Sequence, residues 1–124
     1  MEQKLGKVTI APDVLVTIVQ KTANSVEGVA RLSENVPGVQ RFLGLHTTAE
    51  GVRVVIADNQ VKADVYLVAR RGFDLLQVGR SLQQKIARAI EDIVGMGVAE
   101  VNVHIEDIAT ELSPESRPME EPAV

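Results

Sequence analysis

The sequence predicts an α+β domain, a two-layer sandwich in which two helices lie on one face of a mixed or antiparallel sheet of about four to five strands. Two observations carry this prediction. Two segments place apolar residues at helical spacing on one face, and the other segments alternate apolar and polar residues as half-buried strands do. The expected order is β-α-β-β-β-α-β, and 124 residues is about the size of one domain.

The first strand is predicted over Leu5–Ile10, where Val8 and Ile10 alternate with polar neighbours. Pro12 then indicates the start of a helix, because the first helical position needs no backbone N–H. Gly28 is expected to end this helix. Its predicted apolar face consists of Val14, Leu15, Ile18, Val19, Thr22, Ala23 and Val26.

A β-hairpin is predicted in the middle of the chain. The runs 52–57 and 61–70 are rich in β-forming residues, and they flank Asp58-Asn59-Gln60, a composition typical of a tight turn. A further short strand is expected over 29–33. Residues 34–51 contain several glycines and a proline, and we interpret them as an irregular connection.

A long helix and a last strand follow the hairpin. Gly95-Met96-Gly97 is expected to end the helix, and the last strand directs Val101, Val103 and Ile105 inward. We expect residues 1–112 to form the single domain and the proline- and glutamate-rich residues 113–124 to be a disordered tail. The apolar stripe of the long helix consists of Leu75, Val78, Gly79, Leu82, Ile86, Ala89, Ile90 and Ile93.

The composition argues against several classes of activity. The chain has no cysteine, which excludes disulfides, thiolate metal sites and a cysteine nucleophile. Its net charge of -4 gives no global attraction for phosphate backbones, and it has few of the aromatic rings on which bases stack. No phosphate-binding loop or nucleophile-elbow motif occurs. We therefore expect no enzyme activity, no catalytic residue, no cofactor and no metal.

The titratable residues do not change this expectation. His104 points outward on a polar strand face, and His46 lies in the irregular connection. A solvated histidine is therefore a better interpretation than a metal ligand or general base. The acidic pairs at 91–92 and 106–107 are likewise typical of solvated surfaces rather than of acid–base catalysis.

Two kinds of partner site remain. Apolar residues off the predicted core faces indicate protein contacts, and charged residues on the long helix could form a polar rim around them. The alternative is a nucleic-acid site on the basic cluster of Arg70, Arg71, Arg80 and Arg88, although the chain lacks the Gly-x-x-Gly loop of KH domains. The predicted protein-contact residues are Val16, Phe42, Leu43, Tyr66, Val68, Arg80 and Arg88.

The sequence resembles the alkaline shock protein family, the general-stress or cell-envelope stress response proteins of mainly Gram-positive bacteria. The resemblance is carried by the segments 6–14, 26–30, 82–86 and 98–105, which read GKVTIAPDV, VEGVA, LQQKI and VAEVNVHI. It implies a non-enzymatic protein that self-associates, or that a separate membrane-anchored protein recruits. We accordingly expect a homo-oligomeric cytoplasmic protein, peripheral at the inner face of the membrane and without direct insertion into it.

Overall fold

The computed structural model describes residues 5–33, 46–49 and 51–110, with the backbone alone at 46–49. These residues form an α+β two-layer sandwich, which confirms the predicted fold class. The elements are α1 (Pro12–Asn24), β1 (Val29–Leu32), β2 (His46–Ala49), β3 (Val52–Ala57), β4 (Gln60–Ala69), α2 (Leu75–Ala89), a π-helical turn (Ile90–Val94) and β5 (Gly97–Ile108).

The sheet is built around β4. Strand β5 pairs with β4 in parallel along its whole length. The other edge of β4 is shared by two antiparallel strands placed end to end, with β3 beside residues 60–65 and β1 beside residues 67–69. Strand β2 pairs with the far side of β3. In the described part of the chain, β5 therefore forms one edge of the sheet and pairs with β4 alone.

The core lies between the sheet and the two helices. On β4 the inward side chains are the predicted ones at 61, 63, 65, 67 and 69, and each is completely buried. The helix α1 packs mainly against β3, β1 and β2, whereas α2 packs against β5 and against α1. Leu82 and Ile86 of α2 are completely buried, as the predicted stripe requires.

Local sequence explains where several elements begin and end. Asp58 and Asn59 both have positive φ, at 52° and 65°, which gives the two-residue turn that suits a hairpin. The predicted hairpin is therefore confirmed. At the start of α2 the Asp74 carboxylate accepts a hydrogen bond from the Gln77 N–H at 3.2 Å, which satisfies a free donor of the first turn. Gly95 ends the helical region in the left-handed conformation, with φ of 80°.

The prediction of a first strand is wrong for this chain. Residues 5–10 form no strand, and Leu5 and Val8 are almost fully exposed. The irregular connection instead contains the short strand β2. The observed order is thus α-β-β-β-β-α-β. The alternation of Val8 and Ile10 signals a strand, but a strand also needs a hydrogen-bonded neighbour, and none of the described residues supplies one.

Two predicted helical faces need correction. In α1 the buried stripe includes Val16, 5% exposed, while Val14 lies at the surface. The expectation that Val16 is an exposed contact residue is therefore wrong. At the end of α2, Ile93 is 67% exposed rather than on the core stripe. The cause is the π-helical turn, in which the Gly95 N–H donates to the Ile90 carbonyl and the wider turn shifts the phase of the residues within it.

Two sets of predictions fall outside the described residues. One is the tail at 113–124, which begins beyond the last described residue. The other is the pair of contact residues Phe42 and Leu43. Both stay predictions.

Candidate functional site

A polar cluster occupies the outer face of the sheet, opposite the helices. Asp64 of β4 is buried, and its two carboxylate oxygens face different partners. His104 Nε2 lies 3.2 Å from Asp64 Oδ1, and Arg53 Nη2 lies 3.8 Å from Asp64 Oδ2. The three residues sit on adjacent strands β5, β4 and β3. Arg53 pairs directly with Asp64, whereas His104 pairs with Tyr66 and reaches Asp64 diagonally, two residues along β4. The cluster thus joins three strands across the outer face.

Two further contacts cover the same face. The ring of His104 stacks on Tyr66, with centroids 4.4 Å apart and planes 11° apart. Ser33, just after β1, donates a hydrogen bond from Oγ to Glu106 Oε1 at 2.8 Å. Because β1 and β5 lie on opposite edges of β4, this hydrogen bond passes over β4. Tyr66 and Val68 on this face are each only 7% exposed, so their expected exposure is wrong.

This outer cluster has the geometry of a structural network. A carboxylate beside a histidine can orient a general base, but here Arg53 also engages the carboxylate and Tyr66 covers the imidazole. Within residues 5–33 and 51–110, where side chains are described, no group of three or more His, Asp or Glu residues could hold a metal ion. The contacts present are those that hold β3, β4 and β5 together.

A different feature lies at the edge of the molecule, between α2 and β5. An open groove of about 470 Å³ runs there, with Val103 and Ile105 of β5 forming one wall and α2 forming the other. Leu76 stands on its rim and is 67% exposed, which is unusual for so large an apolar side chain. The residues contributed by α2 are Leu75, Leu76, Gly79, Arg80 and Gln83.

Gly79 helps to keep this groove open. It lies inside α2, where glycine is less stable than alanine by roughly 0.5–1 kcal/mol. A Cβ at this position would first meet Val103 Cγ1, at 4.0 Å, which is an ordinary van der Waals contact. The packing of α2 therefore does not require glycine. What glycine provides is space between the helix and β5.

The edge of β5 that no other described strand pairs with, its free edge, borders the groove. Gln83 Nε2 donates a hydrogen bond to the Val101 carbonyl at 3.1 Å. A side chain of α2 thus takes a place that a neighbouring strand would otherwise take. Groove and strand edge together form a continuous surface, apolar beside the helix and polar along the backbone.

The predicted arginine cluster is spread over several positions. Arg80 is exposed and lines the groove, as a polar rim residue would. Arg88 is exposed in the last turn of α2, about 12 Å further along the helix. Arg70 and Arg71 lie after β4, and the Arg70 N–H donates to the Gly28 carbonyl at 2.8 Å. The structure associates one of the four arginines, Arg80, with the groove.

Sequence reasoning did not find the groove. Its two walls come from residues at 75–83 and 103–105, and periodicity within one segment cannot show that two segments form a cleft. Two signals in α2 were available. Leu76 lies off the apolar stripe, and Gly79 interrupts the stripe inside a helix.

The alkaline shock protein 23 family, described as having a cell envelope-related function, matches the chain over residues 1–110. This chain belongs to that family. It is 35% identical to YqhY of Bacillus subtilis (strain 168) over 102 residues, or 82% of this chain and 76% of YqhY. It is 21% identical to YloU of the same organism over 111 residues, or 87% of this chain and 92% of YloU. The names of these relatives state no activity.

A Streptococcus pyogenes serotype M6 protein, Spy1614, is 27% identical over 108 residues, which is 85% of this chain and 89% of that protein. Among solved structures, a MamM CTD variant is similar with a TM-score of 0.47 and 12% identity, over 77% of this chain and 94% of that chain. A structural likeness this distant carries no argument about function. None of the described helices is both long and apolar enough to cross a membrane.

Proposed function

We propose that this protein acts by binding other protein chains, without turnover of a substrate, at the cytoplasmic face of the cell membrane. Its partners are further copies of itself and an envelope-associated protein. The observation that carries the proposal is the open apolar groove between α2 and β5, with Leu76 exposed on its rim. Membership of a family with a cell envelope-related function supports the place of action.

The chemistry of the groove favours a protein partner. Its walls offer leucine, valine and isoleucine side chains to an apolar segment, and Arg80 at the rim offers a positive charge to an acidic or carbonyl group. An apolar centre with a polar rim is the usual anatomy of a protein interface. The edge of β5 adds backbone groups that an extended segment could pair with.

The glycine at position 79 supports the same conclusion. Replacing it with alanine would stabilise α2, yet the chain carries the less stable residue where it widens the groove. A stability cost that opens a binding surface is a common compromise between stability and function.

We expect Leu76→Glu to reduce retention of the protein in the envelope fraction of broken host cells at least severalfold, because the charge would be buried in the occupied groove. Ile93→Glu is the matched control, since Ile93 is also 67% exposed but lies outside the groove, and it should behave as wild type. Gly79→Ala should raise the melting temperature while lowering retention. Quantitative immunoblotting of the pellet and supernatant measures the retention of each variant, and thermal denaturation measures the melting temperature.

The alternative, nucleic-acid binding through the arginines, predicts a different result. Retention would then fall on nuclease treatment and with rising salt, and Arg70→Glu would reduce it more than Leu76→Glu does. That pattern, or an unchanged Leu76→Glu variant, would contradict the proposal.

A further inference from the structure

The segment Lys7–Ile10 has the character of a strand, but none of the described residues pairs with it as a strand. Val8 is 89% exposed, and Ile10 is exposed as well. Within the described residues, no backbone hydrogen bond joins this segment to the rest of the chain. Valine, threonine and isoleucine are residues that favour strands. The backbone turns at Gly6, where φ is 96°, so Lys7–Ile10 is the part able to pair; we call it the arm.

Among the described strands, β5 pairs with β4 alone, so its other edge has no strand partner, although the Val101 carbonyl accepts a hydrogen bond from the Gln83 side chain. An edge strand presents unpaired N–H and C=O groups that another extended segment can use. Strand β5 runs for 12 residues, whereas β2 at the opposite edge has four. The groove also supplies pockets beside β5, so a segment added there would gain side-chain contacts as well as backbone hydrogen bonds.

The arm and the edge of β5 match in polarity on both faces. If the arm lies beside β5 with Val8 and Ile10 toward the helix, these side chains enter the apolar groove. Lys7 and Thr9 then lie on the outer face of the sheet. There β5 presents exposed acidic side chains, to which Lys7 has the complementary charge. These acidic residues are Glu100, Glu106 and Asp107.

We infer that the arm of one copy adds as a strand to the free edge of β5 in a second copy, and that the exchange is reciprocal, giving a two-fold symmetric dimer. The inference rests on the proposed function, because it names one occupant of the same groove. The arm directly precedes α1. The helix α1 packs mainly over β3, β1 and β2, whereas α2 packs against β5. The arm of one copy can therefore reach the free edge of β5 in a second copy without passing around the α2 helix of its own copy.

Mixing two variants tests the exchange. Val8→Asp disables the arm, and Leu76→Glu disables the groove. Each variant alone should show a dimer dissociation constant raised on the order of tenfold or more, because both contacts of its dimer carry a charge on an apolar surface. An equal mixture should restore association, since the heterodimer retains one intact arm in one intact groove. Native mass spectrometry should show that heterodimer in clear excess over either variant homodimer.

Ile93→Asp serves as the control for an added surface charge and should dimerise as wild type does. Unchanged association of Val8→Asp would overturn the arm inference, and loss of association by Leu76→Glu in the same series would leave the proposed function standing. A mixture that fails to recover would also overturn the inference. A wild-type chain that stays monomeric at all concentrations would contradict both the inference and the self-association in the proposed function.

Discussion

Replacing Leu82 with alanine is expected to lower the free energy of unfolding by about 2–5 kcal/mol. Leu82 is completely buried at the centre of α2, where the helix meets the sheet. The substitution removes buried apolar atoms and leaves a cavity that the surrounding strands can only partly fill. Chemical denaturation followed by circular dichroism measures the loss.

Ile93→Ala is the matched control, because it truncates an apolar side chain of the same size at a residue that is 67% exposed and lies outside the groove. It should change stability by no more than about 0.5 kcal/mol. The loss in the free energy of unfolding caused by His104→Ala should lie between those of the other two variants. This substitution removes the contacts with Asp64 and Tyr66 but leaves no core cavity. If His104→Ala were the most damaging of the three, the assignment of the core to the helix side of the sheet would be wrong.

Replacing Gly28 with alanine is the second large effect we expect. Gly28 has a φ of 100°, and a Cβ there would lie 2.6 Å from Val78 Cγ2 and 3.3 Å from the ring of Phe73. Left-handed backbone costs a residue with a Cβ roughly 1–2 kcal/mol, and overpacking adds about 1–3 kcal/mol. The total should therefore be about 2–5 kcal/mol, measured by the same denaturation experiment.

A substitution at Gly72 separates the cost of the left-handed backbone from the cost of overpacking. Its φ is 90°, but a Cβ there meets nothing within 4 Å, so Gly72→Ala should show the backbone cost alone. Shortening Val78 to alanine should relieve part of the Gly28→Ala loss, which a double-mutant cycle would reveal as a favourable coupling. Equal losses for the two glycine variants, with no coupling to position 78, would show that the close approach of Gly28 to α2 is not a constraint.

The parts of the fold that local chemistry dictates could be predicted from the sequence. Asp58 and Asn59 tolerate positive φ and indicated the hairpin, and Pro12 marked the start of α1. The inward faces of β4 and β5 follow from strict alternation. These features depend on neighbouring residues, so a single segment contains the information.

Features that depend on distant segments could not be predicted in the same way. Tyr66 and Val68 looked exposed because they interrupt a polar strand face, but His104 stacks on the tyrosine and Ser33 bonds Glu106, 73 residues away, across the strand. Val16 was wrongly predicted to be exposed. Helical periodicity shows that one face of α1 is apolar, but the packing partners determine which residues at the border of that face are buried. The groove needed α2 and β5 to be placed side by side.

The wrong prediction of a strand at the arm has a different cause. The prediction of a strand at its residues followed a real pattern of branched apolar side chains, but none of the described residues supplies a neighbouring strand to pair with it. We infer that these residues do form a strand, but by pairing with β5 of a second copy rather than with a strand of their own chain.

The most direct test of the central claim, that the groove between α2 and β5 binds protein chains, is site-specific photo-crosslinking from position 76 in the host cell. A crosslinker in place of Leu76 should form adducts with protein, including peptides that contain residues 7–10 of a second copy. A crosslinker at the exposed outer-face residue Lys62 is the control and should form far fewer. Adducts with nucleic acid at position 76, or protein adducts that are no more abundant there than at position 62, would contradict the account.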